Sequence, residues 1–187
     1  MELINETPNS VYKTSSSCSG RIAVFAEKTS SGPGLWLFVS HDKLDLNTSD
    51  PIIEKLFNDF NTVSAVGQAT DSIFSSMQPI NFKFEPFILH VTSPDAQRGQ
   101  EFLSAAFDAG YRTSGLVNGK KRCMIQLKDT LKIDAPIGFY DAASKTVHLI
   151  VDASYLAHLV NVANEKFLEN EKRMAKLYAS LQHFLCN

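Results

Sequence analysis

The sequence has few cysteines, and their spacing excludes several classes of protein. Its 187 residues contain Cys18, Cys123 and Cys186, which form no CxxC pair, no zinc-binding pattern and no disulfide framework. Isolated cysteines of this kind favour a reducing compartment, and we expect the cytoplasm. No apolar run approaches the roughly 20 residues that cross a bilayer. The first residues also lack the basic start and apolar core of a signal peptide, so we expect neither a membrane anchor nor secretion.

The sequence also lacks a surplus of positive charge. Its 18 basic and 20 acidic residues give a net charge of −2, which argues against a protein that coats nucleic acid non-specifically. Two local basic clusters remain, one at Lys120, Lys121 and Arg122 and one at Lys172, Arg173 and Lys176. They are compatible with an enzyme that holds RNA through a patch. No GxGxxG, P-loop, HExxH or metal-ligand cluster is present, so neither a standard Rossmann nucleotide site nor a metal centre is expected.

Hydrophobic periodicity predicts one α+β domain over residues 1–187, with a mixed sheet, helices packed on it and a long C-terminal helix. Strands are predicted at Arg21–Glu27, Leu35–Ser40, Asn81–Val91, Arg112–Val117, Arg122–Leu127, Ile133–Ile137 and Val147–Val151. Helices are predicted from a Ser49-Asp50 cap with Pro51 at the first helical position, from a Ser93-Pro94 cap to Gly110, and over Ser154–Phe184. Residues 1–13 are expected to be frayed, and residues 61–80 to form a long loop or insertion.

Two local signals refine the predicted strands. Pro86 cannot donate to a ladder, so it implies an edge position, a bulge or a bend. Asn118-Gly119 is typical of a hairpin turn and would bring the basic residues that follow it to that turn.

The most informative segment is Thr-Ser-Ser-Ser-Cys-Ser-Gly-Arg-Ile at 14–22, where five hydroxyls precede an apolar run. Packed donors beside Gly20 predict a loop that holds a polar or anionic ligand. A polar turn leading into a strand is the alternative, and this segment alone favours it. Arg112-Thr113-Ser114-Gly115 repeats the pattern and predicts a second cradle for phosphate or carboxylate, with Arg21 as the matching residue in the first.

Several single residues could take part in catalysis or ligand binding, and each also has a purely structural interpretation. Glu85 and His90 flank Pro86, and Glu85 lies in an apolar setting that suits proton transfer, or else it pairs with an arginine. His41 ends a strand, either as a proton shuttle or as an ordinary turn histidine. Trp36 either stacks on a purine or packs in the core, and core packing is favoured. Cys18 with His41 as base would make a nucleophile, but no acid completes a triad.

Taken in chain order, these segments resemble the tRNA wybutosine-synthesising protein 3 family. The resemblance is carried by residues 14–22, Trp36–His41, Lys83–Val91, Ala109–Gly115 and Asn161–Lys166, continuing to Leu181-Gln182. Two departures accompany it. Family members usually have a longer helical segment before the serine motif, whereas 13 residues precede it here, and the stretch Asp42–Ile80 shows little likeness.

The resemblance implies S-adenosylmethionine-dependent methylation of N-4 in a demethylwyosine precursor of phenylalanine tRNA, on a fold other than the standard Rossmann methyltransferase. It implies Glu85 or His90 as proton acceptor, and Lys120, Lys121 and Arg122 as contacts to the anticodon stem-loop. Donor or substrate-tail contacts would come from Ser16, Ser17, Ser19, Gly20, Arg21, His41, Arg112, Ser114 and Gly115. Other enzymes of the pathway are further candidate partners.

Two other functions remain open at this stage. One is a non-catalytic RNA-binding module that uses the same cleft. The other is a hydrolase built on Cys18 and His41, which we rank last.

Overall fold

A computed structural model describes residues 2–8, 10–30, 32–46, 51–64, 76–119 and 122–186. Within these ranges the helices are α1 (Glu2–Glu6), α2 (Ile52–Phe57), α3 (Ala96–Asp108) and α4 (Ala153–Cys186). The strands are β1 (Lys13–Cys18), β2 (Arg21–Ala26), β3 (Leu35–Ser40), β4 (Asn61–Ser64), β5 (Gln78–Glu85), β6 (Ile88–Ser93), β7 (Gly115–Asn118), β8 (Cys123–Lys128), β9 (Ile133–Asp141) and β10 (Thr146–Leu149). None of the described helices is both long enough and apolar enough to cross a membrane.

The predicted α+β class is confirmed, and the strands divide into two sheets. One has four strands in the order β1-β6-β8-β7, and the other has six in the order β3-β2-β5-β9-β10-β4. All strand pairs are antiparallel except β10 with β4, so the larger sheet is mixed, as predicted. The division into two sheets was not foreseen from the sequence.

Contacts between Cα atoms group the chain into two compact units, each built around one sheet. The four-stranded unit contains residues up to Gly20, Pro86–Leu131 and residues from Phe167 onward. The six-stranded unit contains Arg21–Glu85 and Lys132–Lys166. The β5 strand ends at Glu85 and β6 begins at Ile88, so Pro86 marks the bend at which the chain leaves one sheet and enters the other.

In the four-stranded unit one face of the sheet is apolar and covered. Leu89 and Val91 of β6 and Ile125 and Leu127 of β8 are buried in one cluster. The helices α1, α3 and α4 supply further members of that cluster, namely Ile4, Phe102, Leu103, Ala106, Leu177 and Leu181. Because side chains alternate along a strand, the residues between these apolar positions lie on the opposite face of the sheet.

In the six-stranded unit the apolar residues of adjacent strands are buried in the same way. Ile22 and Val24 of β2, and Phe82 and Phe84 of β5, have no exposed surface. Gly138 of β9 allows the backbone of β10 to approach closely, because an added Cβ would lie 2.3 Å from the His148 carbonyl oxygen.

The N-terminal segment is ordered into elements, so the prediction of a frayed segment over residues 1–13 is wrong. Residues Glu2–Glu6 form α1, and Ile4 and Tyr12 are 3% and 4% exposed in the core of the four-stranded unit. The Tyr12 hydroxyl donates to the Arg98 carbonyl oxygen at 2.9 Å. Burial of these two side chains offsets the cost of ordering a short polar segment.

The segment predicted as a loop over residues 61–80 is strand at both ends. Asn61–Ser64 form β4, which pairs in parallel with β10, and β5 begins at Gln78. Gln78 is 1% exposed, and its Nε2 donates to the carbonyl oxygens of Glu27 and Pro33. Both ends are polar in sequence and are ordered by pairing partners distant in the chain. Residues 65–75 lie outside the described residues.

One predicted helix cap is corrected, and another lies outside the described residues. The α3 helix is capped by Asp95, whose carboxylate accepts from Arg98 N at 2.8 Å, and not by Ser93. The α2 helix follows Pro51 without a side-chain cap, and the predicted cap at Ser49-Asp50 lies outside the described residues. At its other end α3 stops as predicted, because Gly110 adopts a left-handed φ of 103°.

Candidate active site on the four-stranded sheet

The serine-rich segment forms a strand, not the ligand-holding loop that we predicted. Residues Lys13–Cys18 make up β1 and pair antiparallel with β6, Ser16 lying opposite His90. The loop prediction followed from local composition, and the hydrogen bonds to β6 override it. The hydroxyl groups are therefore held on a strand.

Strand register brings four polar or small residues into one row across the sheet. Ser16 pairs with His90, His90 pairs with Gln126, and Gln126 pairs with Gly115. The row lies on the face opposite the apolar cluster, because its neighbours Leu89 and Val91 point into that cluster. Three of these residues were predicted as site residues, and the fourth, Gln126, was not.

Both nitrogens of the His90 ring are engaged by side chains of this row. Nδ1 lies 2.9 Å from the Ser16 hydroxyl, and Nε2 lies 3.0 Å from Nε2 of Gln126. An amide nitrogen can only donate, so in this orientation Gln126 donates to Nε2, and Nδ1 carries the proton and donates to Ser16. The row therefore fixes the orientation of the ring, and this amide orientation favours the tautomer with its proton on Nδ1.

A bulge in β1 adds a second hydroxyl beside His90. The register of β1 against β6 shifts between Thr14 and Ser16, which leaves Ser15 as the extra residue. The Ser15 hydroxyl donates to the His90 carbonyl oxygen at 3.3 Å and lies 3.7 Å from Met124 Sδ. Two successive serines of the predicted motif thus contact the same histidine.

The Arg112–Gly115 segment lies at the far edge of the same sheet. The Thr113 hydroxyl donates to the Lys128 carbonyl oxygen at 3.1 Å, and Lys128 N donates to the Ser114 hydroxyl at 3.2 Å. These bonds continue the pairing of β7 with β8 beyond Gly115. The Arg112 side chain is exposed and forms no ion pair with the described residues, so its charge is available to an anion.

The turn after β8 is fixed by a buried acid. Asp129 Oδ1 accepts from Arg173 at 2.7 Å and from Leu131 N at 3.1 Å, and its side chain is 5% exposed. Arg173 also donates to Glu169 at 2.9 Å, and these acids raise the pKa of the Arg173 guanidinium. Because Lys128 precedes Asp129, this pair also positions the backbone that holds Thr113 and Ser114.

Asn170 is a second positioning residue on α4. Its Nδ2 donates to the Ser19 carbonyl oxygen at 2.7 Å, and its Oδ1 accepts from Phe87 N at 2.9 Å. Asn170 is 1% exposed, and it fixes the chain just after β1 and just before β6. In the sequence Asn170 stands out only as a polar residue within the apolar stripe of the helix. Gly20, next to Ser19, has a φ of 115°, a conformation that strongly favours glycine.

Three predicted site residues, Arg21, Glu85 and Trp36, belong to the six-stranded unit. Arg21 Nε donates to Glu85 Oε2 at 2.5 Å, and the two residues face each other on β2 and β5. The Arg21 guanidinium also lies 4.6 Å from the centre of the Trp36 ring, which is 44% exposed and packs on Phe25. Glu85 thus pairs with an arginine, the alternative that the sequence left open. Exposure of Trp36 does not fit the core packing that we favoured.

The Cys18–His41 pair and the basic cluster are the other predicted sites. His41 follows the end of β3 in the six-stranded unit, whereas Cys18 ends β1 in the four-stranded unit and has a half-buried thiol. Arg122 is exposed just before β8, and Lys120 and Lys121 lie outside the described residues. No group of three metal-ligating side chains occurs in the part of the chain that the structure describes.

A hollow of about 650 Å³ lies elsewhere in the four-stranded unit, and no predicted site residue lines it. It is lined by Tyr12, Arg98, Glu101 and His183, among others. Three of these residues already bind one another: Arg98 contacts Glu101 at 3.1 Å, and the Tyr12 hydroxyl donates to the Arg98 carbonyl oxygen. We therefore base the candidate site on the His90 row and not on cavity size.

Comparison with solved structures supports the fold described here. The PH1069 protein from Pyrococcus horikoshii superposes with a TM-score of 0.72 at 19% identity, covering 98% of this chain and 82% of that one. A hypothetical protein from Aeropyrum pernix gives a TM-score of 0.67 at 17% identity, covering 98% and 95%. At these identities the likeness shows the fold alone.

Comparison with curated sequences extends over nearly the whole chain. The tRNA wybutosine-synthesizing protein 3 of Saccharomyces cerevisiae is 32% identical over 199 residues, which is 100% of this chain and 71% of the yeast protein. The Homo sapiens homolog of that protein is 34% identical over 180 residues, which is 93% of this chain and 60% of the human one. The model of the family described as Methyltransferase TYW3 matches residues 1–183, and the chain belongs to that family.

Proposed function

We propose that this chain transfers a methyl group from S-adenosylmethionine to N-4 of a demethylwyosine precursor in phenylalanine tRNA. Membership of a methyltransferase family and the name shared by its relatives support the reaction. The observation that carries the proposal is the row Ser16–His90–Gln126–Gly115, which holds one imidazole among polar groups on the open face of a sheet.

Residues in and beside the row suit the amino-acid part of such a donor. The exposed Ser16 hydroxyl can donate to a carboxylate or accept from an ammonium group, and Ser17, which pairs with Leu89, adds an exposed hydroxyl on the same edge strand. Arg112 offers an unpaired guanidinium, whose fork matches a carboxylate. Ser19, Gly20, Ser114 and Gly115 complete the proposed contacts. When bound, S-adenosylmethionine would supply an electrophilic methyl group on a sulfonium.

His90 is our first candidate for the proton acceptor. Methylation of N-4 requires removal of its proton, and a neutral imidazole with an unprotonated Nε2 can accept one. In the tautomer described above, Nε2 accepts a hydrogen bond from Gln126, so the substrate N–H would take the place of that amide. Ser16 accepts from Nδ1 and keeps the ring oriented as its charge develops.

Glu85 remains the second candidate for this role, and Arg21 and His41 remain candidate ligand contacts. The Arg21–Glu85 ion pair favours a structural role for Glu85, because one carboxylate oxygen already accepts from the guanidinium. We therefore rank His90 above Glu85 and keep Trp36, with its exposed ring, as a stacking surface for a base.

The proposed RNA partner is the anticodon stem-loop of phenylalanine tRNA. Arg122, next to β8, is the described member of the basic cluster that would contact its backbone, together with Lys120 and Lys121. Docking of other enzymes of the pathway belongs to the same proposal. A cytoplasmic location also fits three cysteines that form no disulfide.

The test compares His90→Gln and His90→Ala with His158→Gln, an exposed histidine on α4. We expect both His90 variants to lower methyl transfer by about 10²–10⁴-fold, the usual effect of losing a general base. Binding of S-adenosylmethionine in calorimetry should persist, and His158→Gln should retain full turnover. Unchanged turnover in His90→Gln would move the role to Glu85, which Glu85→Gln then tests. An unaltered chain that binds the RNA but gives no heat with the donor would instead be a non-catalytic RNA-binding module.

A further inference from the structure

The open face of the four-stranded sheet carries no acidic residue. The strands β1, β6, β7 and β8 contain neither aspartate nor glutamate, although the whole chain has 20 acidic residues. Lys13 begins β1 and Lys128 ends β8, and both are exposed. A surface with positive charge and without carboxylates attracts polyanions and repels cations.

One end of this face has a small hollow with the chemistry of a phosphate site. Its volume is about 370 Å³, and its lining includes Lys13, Arg122, Ser10 and Thr92. None of its lining residues is acidic, and neither cation forms an ion pair with the described residues. The two cations beside one hollow provide charge-assisted donors for an anionic oxygen.

The framework of the hollow is fixed by the sheet. Lys13 pairs with Thr92, whose hydroxyl donates to the Lys13 carbonyl oxygen at 3.2 Å. Arg122 is held next to β8 because its carbonyl oxygen accepts from Gly119 N at 3.0 Å. The backbones that carry the two cations are therefore set before any ligand arrives.

The position of the hollow relative to His90 suits a nucleotide. Thr92 lies two residues beyond His90 on β6, about 7 Å at the usual rise of a strand. A base that reaches His90 would then have its sugar-phosphate backbone close to the hollow. Phosphate contacts of this kind set the orientation of a nucleic acid without reading its sequence.

We propose that the hollow formed by Lys13, Thr92 and Arg122 binds a backbone phosphate of the RNA substrate and so orients the target base toward His90. This inference rests on the proposed function, because it takes the RNA proposed there as substrate and names the part of it that binds this face of the sheet. It assigns a role to Lys13 and Thr92, which the sequence did not single out.

The experiment measures binding of a synthetic RNA with the sequence of the phenylalanine tRNA anticodon arm, over a range of salt concentrations. The full chain is compared with Lys13→Gln, Arg122→Gln and the matched control Lys28→Gln, at an exposed lysine just after β2. Each of the first two should lower the slope of log affinity against log salt by about 0.7–0.9, the value of one lost phosphate contact. The slope for Lys28→Gln should equal that of the unaltered chain, and Lys13→Arg should retain it.

Steady-state kinetics give a second readout. Lys13→Gln and Arg122→Gln should raise KM for the RNA and leave the affinity for S-adenosylmethionine unchanged. Slopes equal to that of Lys28→Gln, with salt-dependent binding by the unaltered chain, would overturn this inference and leave the proposed function in place. Failure of the unaltered chain to bind the RNA at any salt concentration would overturn both.

Discussion

Replacement of Asn170 by aspartate tests whether a buried side-chain amide holds the candidate site together. The change exchanges one donor group for an oxygen and leaves the shape of the side chain the same. Oδ1 can still accept from Phe87 N, but an ionised carboxylate would bring a second oxygen to the Ser19 carbonyl oxygen, which now accepts from Nδ2 at 2.7 Å. Asn170 is 1% exposed, so the introduced charge would also be desolvated.

The magnitude follows from the pKa of the introduced carboxyl. Burial and the facing carbonyl oxygen both disfavour its charged form and raise its pKa in the folded protein. A rise of about two units corresponds to about 2.7 kcal/mol, and loss of one hydrogen bond adds about 1 kcal/mol. We therefore expect Asn170→Asp to lower the free energy of unfolding by about 3–4 kcal/mol at pH 7.

The sign of the pH dependence distinguishes this explanation from a simple packing defect. A folded pKa above the unfolded value gives a penalty that is full at neutral pH and shrinks as the pH falls through the folded pKa. A protonated carboxyl can also donate to the Ser19 carbonyl oxygen and restore the lost bond. The difference between Asn170→Asp and the unaltered chain should therefore decrease toward pH 4.

Urea unfolding at several pH values, extrapolated linearly to water, measures these differences. Asn161→Asp, on the exposed face of the same helix, is the control and should cost less than about 0.5 kcal/mol at every pH. A loss in Asn170→Asp that does not change with pH, or that equals the loss in the control, would refute the role assigned to the amide.

Two further stability predictions follow from the six-stranded unit. Gly138→Ala should cost about 1–3 kcal/mol in thermal or urea unfolding, because its Cβ would lie 2.3 Å from the His148 carbonyl oxygen; Gly115→Ala, with nothing within 4 Å, should cost almost nothing. Lys83→Met should cost about 1 kcal/mol near neutral pH. Hydrogen bonds from Lys83 lower the pKa of Glu27, and those from Lys132 and Lys83 lower the pKa of Asp134. This stabilisation is present above the ordinary pKa values of 4.5 and 3.8 and is lost below them, so the cost should vanish in acid. Equal costs at pH 7 and pH 3 would contradict the last prediction.

The elements that the sequence predicted well are those whose signals are local. The strand Leu35–Ser40 has the predicted bounds, and α4 differs from its prediction by one or two residues at each end. The α3 helix ends at the expected glycine, and the strands on either side of Asn118-Gly119 form the predicted antiparallel pair. In each case the predictive signal, either the spacing of apolar residues or a turn residue, lies within or next to the element itself.

The elements that were missed depend on partners far away in the chain. Nothing in Thr-Ser-Ser-Ser-Cys predicts a strand, and β1 exists because β6, more than 70 residues later, supplies its hydrogen bonds. Gln126 gave no chemical signal because it is an ordinary polar position in an alternating strand. Its contact with His90 depends on the register of β6 against β8, which the sequence does not encode locally.

The candidate site therefore derives its geometry from the hydrophobic core beneath it. Side chains alternate along a strand, so a slip of one residue in β6 would turn His90 toward α3 and expose Leu89 and Val91. Leu89 and Val91 are 4% and 0% exposed, and burying side chains of this kind contributes about 1.5–3 kcal/mol each. That free energy exceeds the roughly 1 kcal/mol of either hydrogen bond to the His90 ring. Core packing thus fixes which face His90 occupies, and the bonds to Ser16 and Gln126 set only the orientation of its ring.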